Sequence, residues 1–246
     1  MQWPLILART VVTWVVGVGA TIIGAVAVLT LVVVNPTSPG IETVIRWWSR
    51  VWLRASGTRL SVEGRDSIDP DRSYVVVANH LSTLDIMVCF LAVQLPIRYL
   101  AKKELFRIPL LAQAMRSIGI IEVDRAARGA IHNSVNRQAR DLIANKRSLI
   151  IYAEGTRPRD GVMKPFKKGA FTMAISSQLP VLPLSIHGTY EAAVPGRPWF
   201  RGGHVTAIVD PPIETEGMTQ AEADALRDQV HEIIAKRVVD LGGRVS

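Results

Sequence analysis

The chain has very little cysteine: Cys89 is the single thiol among 246 residues. One thiol cannot form an internal disulfide, so the fold is stabilised without cross-links. The absence of an internal disulfide agrees with a reducing compartment. Cys89 lies among apolar neighbours with no cationic residue beside it, and we expect it to pack in the core. No histidine has a metal-ligand spacing to another histidine, cysteine or carboxylate cluster, which predicts that the protein holds no metal.

Charged residues are missing between Arg9 and Glu42. As a helix, the run Val11–Val34 would extend roughly 36 Å, which exceeds the hydrocarbon core of a bilayer at about 30 Å. A cleaved signal peptide has a shorter apolar region of about 7–15 residues, so we expect a retained membrane anchor. The run either crosses the bilayer or bends at a glycine and pairs with the next helix inside one leaflet.

A second apolar pattern follows the Pro- and Gly-containing breaker at residues 35–40. It predicts a helix with arginines opposite an apolar face, and that face suits either the headgroup boundary or the protein's own core. Three arginines follow the apolar run and only Arg9 precedes it. If the run spans the bilayer, the positive-inside tendency therefore places the remaining chain in the cytoplasm. We divide the chain into an anchor, residues 1–58, and a domain, residues 59–246. The apolar face comprises Ile41, Val44, Ile45, Trp48, Val51, Trp52 and Ala55, and the arginines are Arg46, Arg50 and Arg54.

The net charge of +8 is unevenly distributed. Residues 98–168 contain 16 Lys and Arg against 6 Asp and Glu, whereas residues 210–240 contain 3 against 8. The basic middle suits anionic ligands such as lipid phosphate, coenzyme A phosphates or an acidic carrier protein. Nucleic acid is the competing interpretation of a pI near 10.1. The chain has no aromatic-basic recognition module or zinc spacing, so we expect no nucleic-acid partner.

Short apolar runs alternate with amphipathic ones after the anchor. This alternation predicts an α/β fold, with a mixed, mainly parallel sheet flanked by helices. Strands are expected at Leu60–Glu63, Tyr74–Ala78, Ile97–Ala101, Gly119–Val123, Ser148–Ala153, Val181–His187 and His204–Val209. Helices are expected at Thr83–Gln94, Phe106–Ser117, Ala130–Asn145, Ala170–Gln178 and Thr219–Leu241.

A polar cluster follows directly on the strand candidate Tyr74–Ala78, and it holds His80, Ser82 and Asp85. Catalytic groups favour such strand ends, and a histidine with a carboxylate partner can take a proton from a hydroxyl near neutral pH. On a regular helix the imidazole and the carboxylate would lie about 140° apart. They meet only if His80 is on the turn and Asp85 is in the first helical turn. The spacing leaves open that Ser82 and Asp85 only cap a helix.

Four short segments follow one another along the chain. They are Asn-His-Leu-Ser-Thr-Leu-Asp at 79–85, Lys-Lys-Glu-Leu through Val-Asp-Arg at 102–125, Tyr-Ala-Glu-Gly-Thr-Arg at 152–157, and Leu-Pro-Val-Leu-Pro at 179–183. In this order they resemble the motifs of the glycerolipid acyltransferases, typified by 1-acylglycerol-3-phosphate acyltransferase. The resemblance covers residues 60–210. Tyrosine and alanine stand in the third segment where the family usually has phenylalanine and proline.

The resemblance implies a membrane-bound O-acyltransferase with an N-terminal two-helix motif. It implies transfer of a fatty acyl group to the free hydroxyl of a lysophosphatidic-acid-like acceptor, with acyl-CoA or acyl carrier protein as co-substrate and no cofactor. His80 is then the general base, and Asp85 holds the imidazole in its tautomer. Substrate binding is expected from Ser82, Lys103, Arg125, Glu154, Gly155, Thr156 and Arg157.

The residues after the strand candidate Ser148–Ala153 can each be given a physical role. Gly155 lets the backbone approach a ligand closely, and Thr156 can donate a hydrogen bond. Arg157, like Arg125 at another strand end, can hold a phosphate in a two-bond fork. Glu154 either orients Arg157, binds a backbone amide or contacts the glycerol hydroxyl.

Two alternatives to this function are open. The acceptor can be another lysolipid, such as a lyso-ornithine lipid or a lysophospholipid. The chain can also be a catalytically silent membrane-binding scaffold, although the intact His80 and Asp85 pair speaks against silence. Ser82 is the alternative nucleophile, but direct attack by the acceptor alcohol is simpler than an acyl-enzyme.

Overall fold

The computed structural model describes residues 3–123 and 147–246, and the elements below belong to those ranges. The strands are β1 (Thr58–Glu63), β2 (Val75–Ala78), β3 (Ile97–Lys102), β4 (Ile121–Val123), β5 (Ser148–Tyr152), β6 (Val162–Met163), β7 (Val181–His187), β8 (Gly203–Val209) and β9 (Arg244–Val245). The α-helices are α1 (Trp3–Val34), α2 (Gly40–Ala55), α3 (Asp85–Val93), α4 (Leu111–Ile118), α5 (Gly169–Ser177), α6 (Thr189–Ala192) and α7 (Ala223–Asp240). Short 3-10 helices cover Arg65–Ser67, Lys103–Arg107 and Gln220–Glu222.

The central sheet has the strand order β1-β8-β7-β2-β5-β3-β4, and β6 pairs with β9 separately. β7, β2, β5, β3 and β4 run parallel to one another. β8 is antiparallel to β7 and parallel to β1, so the sheet is mixed. The predicted α/β class with a mainly parallel sheet is therefore confirmed. Because parallel strands point their carboxyl ends the same way, the turns after β2, β5, β3 and β7 meet at one edge.

β2 is buried on both of its faces. Val75 and Val77 pack in a cluster with residues of α5 and α7. Val76 and Ala78, on the opposite face, pack in a cluster with residues of α2 and α3. A parallel strand covered by helices on both sides requires an unbroken apolar run, and this explains why the run stops abruptly at the polar turn.

Most predicted boundaries agree with the structure within two residues, and the exceptions have local causes. The helix expected at Phe106–Ser117 is wrong in its first half, where Lys103–Arg107 forms a 3-10 helix. Pro109 interrupts the pattern, so α4 begins only at Leu111. The last predicted helix begins as a 3-10 turn held by a capping box between Thr219 and Glu222. The helix expected at Ala130–Asn145 lies outside the described residues.

The two N-terminal helices form an antiparallel pair. α1 is one α-helix of 32 residues, about 48 Å long, which continues through its glycines. Both Trp48 Nε1 and Trp52 Nε1 donate to Thr21 Oγ1, at 2.9 and 3.2 Å. A Cβ on Gly17 would lie 2.6 Å from the Trp52 ring, so glycine permits the close approach of the two helices. Within the described ranges, α1 alone is long and apolar enough to cross a membrane, and only 28% of its most apolar window is buried.

The apolar face of α2 packs on the protein itself. Ile41, Ile45 and Leu53 are buried in the same cluster as residues of the sheet. An ion pair of 2.6 Å between Arg98 Nη2 and Glu42 Oε1 also ties α2 to β3, and the Arg98 side chain is buried. For the part of this face that contains Ile41, Ile45 and Trp52, packing on the protein's own core is confirmed.

Candidate active site

The turn after β2 is fixed to the neighbouring strand by Asn79. The Asn79 side chain is fully buried, and its amide donates to Ile186 O and accepts from Ile186 N, both at 2.8 Å. This pair of bonds satisfies an amide that would otherwise be costly to bury. It also sets the starting point of the turn that carries His80.

His80 and Asp85 meet as the turn-and-helix arrangement requires. Asp85 is the first residue of α3, and its buried Oδ2 lies 2.9 Å from His80 Nδ1. The same oxygen accepts the backbone N–H groups of Leu81 and Ser82, each at 2.7 Å. A carboxylate accepts, so Nδ1 carries the proton and Nε2 is the nitrogen with a free lone pair. Asp85 therefore holds the imidazole as well as the turn, and capping alone does not describe it.

Ser82 has a structural contact instead of an open position. Its side chain is fully buried, and Oγ donates to Ala193 O at 2.8 Å while it accepts the Leu84 N–H at 3.3 Å. The hydroxyl thus ties the turn to the segment after α6. The substrate-binding role expected of Ser82 is not supported by this placement, because no face of the hydroxyl is exposed.

Tyr152 lies flat against the His80 imidazole. Their ring centroids are 3.7 Å apart with an interplanar angle of 9°. The contact follows from strand register, since Ala78 at the end of β2 is paired with Tyr152 at the end of β5. The family motif signalled an aromatic residue at this position, but the sequence did not reveal its partner, which is 72 positions away.

A buried polar pair lies behind the stacked rings. Tyr152 Oη is 3.6 Å from Cys89 Sγ. Burial raises the pKa of the Cys89 thiol to about 12 and raises the pKa of Tyr152 well above its ordinary value, so both groups are neutral at physiological pH. The expected packing role of Cys89 is confirmed, because its side chain is fully buried.

Glu154 connects the turn after β5 to the turn after β2. It is only 3% exposed, and Oε1 accepts the His80 N–H at 2.7 Å while Oε2 accepts the Lys164 N–H at 2.9 Å. Burial raises the pKa of the Glu154 carboxyl to about 7. The two hydrogen bonds from backbone amides lower the pKa, but their effect is smaller than that of burial. Of the three roles open from the sequence, the structure thus gives Glu154 the binding of backbone amides.

The rest of this turn is open to solvent. Thr156 and Arg157 are exposed, and Arg157 Nη1 donates to the hydroxyl of Thr83, within the turn that follows His80. Gly155 has φ +78°, and a Cβ there would lie 2.8 Å from Lys167 Nζ. Glycine therefore allows both the left-handed backbone and the approach of a basic side chain.

The last two predicted binding residues follow neighbouring strands. Lys103 begins the 3-10 helix directly after β3, at the same edge of the sheet, and is half-buried. Arg125 lies outside the described residues, two positions beyond the end of β4 at Val123. The structure therefore brings His80, Asp85 and Arg157 together and leaves the position of Arg125 undescribed.

A histidine held by a buried carboxylate can deprotonate an alcohol, and an exposed arginine beside it can bind an anionic group on the same molecule. The acyltransferase family model matches residues 59–187, which is more than half of the chain. The chain therefore belongs to the acyltransferase family, and in particular to the branch that contains the 1-acylglycerol-3-phosphate acyltransferases.

Curated relatives and a solved structure support that placement. The 1-acyl-sn-glycerol-3-phosphate acyltransferase of Haemophilus influenzae is 30% identical over 86% of this chain and 86% of its own length. The alpha enzyme of that name from Homo sapiens is 32% identical over 71% of this chain, which spans 62% of the human protein. The crystal structure of the 1-acyl-sn-glycerophosphate (LPA) acyltransferase PlsC from Thermotoga maritima is 28% identical, covers 100% of both chains and has a TM-score of 0.85.

Proposed function

We propose that this chain is an O-acyltransferase that converts 1-acylglycerol-3-phosphate to phosphatidic acid. The acyl donor is a thioester, either acyl-CoA or acyl carrier protein. The observation that carries the proposal is the bond between His80 Nδ1 and the buried Asp85 Oδ2 at 2.9 Å. The names of the relatives from Haemophilus influenzae and Thermotoga maritima support the choice of acceptor.

In this mechanism His80 Nε2 takes the proton of the acceptor hydroxyl. The alkoxide oxygen attacks the thioester carbonyl, and the tetrahedral intermediate collapses with cleavage of the carbon–sulfur bond. The imidazolium returns its proton to the departing thiolate, so the products are the ester and a free thiol. Asp85 keeps the proton on Nδ1 and stabilises the imidazolium during the reaction.

Two side chains support the base without touching the acceptor. Tyr152 covers one face of the imidazole, and Glu154 holds the His80 backbone amide. Positioning of this kind is productive because a base must lie within hydrogen-bond reach of the hydroxyl. His80 has 12% of its side chain exposed, which leaves the ring accessible at the surface of the turn.

The acceptor phosphate is assigned to Arg157. Its guanidinium contacts Thr83, three residues beyond His80, so a phosphate held there lies near the base. A planar guanidinium can bind two phosphate oxygens at once, whereas an ammonium cannot. Arg125 and Lys103 are proposed as further phosphate contacts, because both follow strand ends in the basic stretch of the chain.

We also propose that α1 associates with a membrane, with the remaining chain on the cytoplasmic side. Large apolar side chains are exposed along α1, among them Val15 at 69% and Ile23 at 61%. An apolar surface of this extent must be shielded from water, and the lipid of a membrane is the apolar phase that an enzyme acting on lysolipids encounters. The arginines of α2 support the cytoplasmic orientation.

The acyl transfer is tested with purified full-length protein and acyl-CoA. Thiol release should depend on added lysophosphatidic acid, and mass spectrometry should detect phosphatidic acid. A mixed acceptor set that contains lyso-ornithine lipid and lysophosphatidylcholine distinguishes the alternatives in the same reaction. Thiol release without any acylated lipid, or a preference for another acceptor, contradicts the proposal.

Membrane association is tested by adding charge to the exposed face of α1. Wild type should sediment with membranes and resist carbonate extraction. Val15→Glu combined with Ile23→Glu should move the protein towards the soluble fraction, because buried charge in a bilayer is costly. The matched control is Val239→Glu, since Val239 is 56% exposed on α7. Recovery of wild type in the soluble fraction contradicts the proposal.

A further inference from the structure

A basic groove lies at the far end of α3 from the active site. It has a volume of about 370 Å³, within the range of roughly 300–1,000 Å³ that is usual for small-ligand sites. Asp85 begins α3 beside His80, and the groove borders Leu91 near the end of that helix, some 10 Å along its axis by helical rise. We call it the arginine groove, because it is lined by Arg50, Arg54, Arg59 and Arg65.

The charges of the arginine groove are unbalanced. Within residues 3–123 and 147–246, the side chains of Arg50, Arg54 and Arg59 make no hydrogen bond or ion pair, and no acidic side chain of that part of the chain lines the groove. Like charges that converge on one concave surface repel one another and attract an anion. The groove therefore has positive charge that no acidic side chain in its lining balances, and a negatively charged ligand would balance it.

The fourth arginine is held in place by the protein. Arg65 Nη2 donates to Leu91 O at 2.9 Å, and Arg65 Nε donates to Ala92 O at 3.1 Å. These carbonyls belong to the last turn of α3, where a cation is favourable. Three of the five N–H groups of the guanidinium are left for other partners. A donor that is fixed before binding loses little freedom when an anion arrives.

The lining also has an apolar side, which includes Leu53, Leu60 and Val62. Planar guanidinium groups match phosphate geometry, and apolar side chains beside them suit the carbon skeleton of a phosphate ester.

We propose that the arginine groove binds a phosphate-bearing anion at a site separate from the active centre. The phosphate belongs either to an anionic lipid headgroup or to a soluble phosphate. This inference does not depend on the acyltransferase reaction, because none of the four arginines belongs to the proposed active site.

The test is calorimetric titration of full-length protein in neutral-detergent micelles. The probes are dihexanoyl phosphatidylglycerol, inorganic phosphate and, as the uncharged comparison, dihexanoylglycerol. Wild type should bind a phosphate-bearing probe saturably and should not bind dihexanoylglycerol. Arg54→Gln combined with Arg59→Gln should weaken that binding at least tenfold and leave acyl transfer unchanged. The matched control, Arg46→Gln with Lys236→Gln, removes the same charge outside the groove and should bind within about twofold of wild type.

The arms of the titration separate the two sources of phosphate. Tighter binding of dihexanoyl phosphatidylglycerol than of inorganic phosphate assigns the groove to a lipid headgroup, and equal or weaker binding assigns it to a soluble phosphate. Three results overturn the proposal: no saturable binding of either probe by wild type, equal losses in the groove variant and the control, or unchanged binding in the groove variant.

Discussion

The turns after β2 and β5 meet at one edge of the sheet but differ in how they are held. In the first turn, Asn79, Ser82 and Asp85 are fully buried and make several hydrogen bonds. In the second, Thr156 and Arg157 are exposed. The proposed base is thus positioned before a substrate arrives, whereas the arginine proposed to bind the phosphate is left where a substrate can reach it.

Glu154 is the exception that links the two turns. It belongs by sequence to the exposed turn, yet it is buried and binds the backbone of His80. A carboxyl group placed between two amides makes the position of His80 depend on the turn after β5.

The largest expected effect is that of His80→Ala. Loss of a general base typically lowers turnover by about 10²–10⁴-fold. The fold should survive, because His80 lies in a turn outside the strands and helices. The measurement is initial rate on purified protein with a thermal melt as the check of folding, and His204→Ala is the matched control on the exposed part of β8. Turnover above about half of wild type rejects a general-base role for His80.

Arg157→Ala should act on affinity and leave the chemistry intact. A charge-assisted phosphate contact of roughly 1.5–3 kcal/mol corresponds to a rise of about 10- to 100-fold in the apparent KM for lysophosphatidic acid. Arg157→Lys should recover only part of the loss, since an ammonium lacks the two-bond fork. Arg159→Ala is the matched control, because Arg159 is exposed two residues further along. An equal loss in that control shows that diffuse charge, and not Arg157, attracts the acceptor.

Tyr152 should contribute less to activity than His80 or Arg157, and it should act only by positioning the His80 imidazole. Aromatic stacking is worth about 0.5–1.5 kcal/mol, so Tyr152→Leu should lower turnover by up to about tenfold and shift the pH profile of kcat/KM. Tyr152→Phe keeps the ring and removes only the hydroxyl, which contacts Cys89, so it should resemble wild type. If Tyr152→Phe and Tyr152→Leu lose equal activity with the same pH profile as wild type, stacking does not position the base.

The last expected effect concerns stability and not activity: a pH dependence of the free energy of unfolding that comes from Glu154. Its carboxyl has an ordinary pKa of 4.5, and burial raises the value to about 7 in the folded protein. The folded state then binds the proton more tightly than the unfolded state. The stabilisation is complete below pH 4.5 and is lost as the pH rises through about 7, with a full amplitude of about 3 kcal/mol.

Glu154→Gln removes this titration and should flatten the dependence of the free energy of unfolding between pH 4.5 and 7. The check is denaturation of the detergent-solubilised protein across that range. The matched control is Glu191→Gln, because Glu191 is exposed. A slope that is the same in wild type and in Glu154→Gln assigns the pH dependence to other groups.

The edge of the sheet that carries the site could be predicted from the sequence. Runs of β-formers that end at polar residues placed His80 and Glu154 at strand ends, and a turn followed by a helix was the only arrangement that joined His80 to Asp85. These inferences need only local patterns along one stretch of chain. They are correct because a strand buried on both faces favours a nearly continuous apolar run.

The contacts between the turns could not be predicted, because they depend on which strands are neighbours. The stack of Tyr152 on His80 and the bond from Arg157 to Thr83 require β2 and β5 to be adjacent and in register. The buried amide bonds of Glu154 depend on the same adjacency. The sequence left three roles open for Glu154, and the packing of the two turns selects the binding of backbone amides.

The separate roles proposed for the two turns are tested most directly by one measurement. Asp85→Asn and Arg157→Ala are titrated with lysophosphatidic acid and with monoacylglycerol, a neutral acceptor that lacks the phosphate. Asp85→Asn should lower turnover equally for both acceptors, because it misplaces the tautomer of His80. Arg157→Ala should raise KM for lysophosphatidic acid and leave the weak reaction of monoacylglycerol unchanged. Equal losses of Arg157→Ala on both acceptors would contradict these separate roles, since that arginine would then serve the donor or the fold.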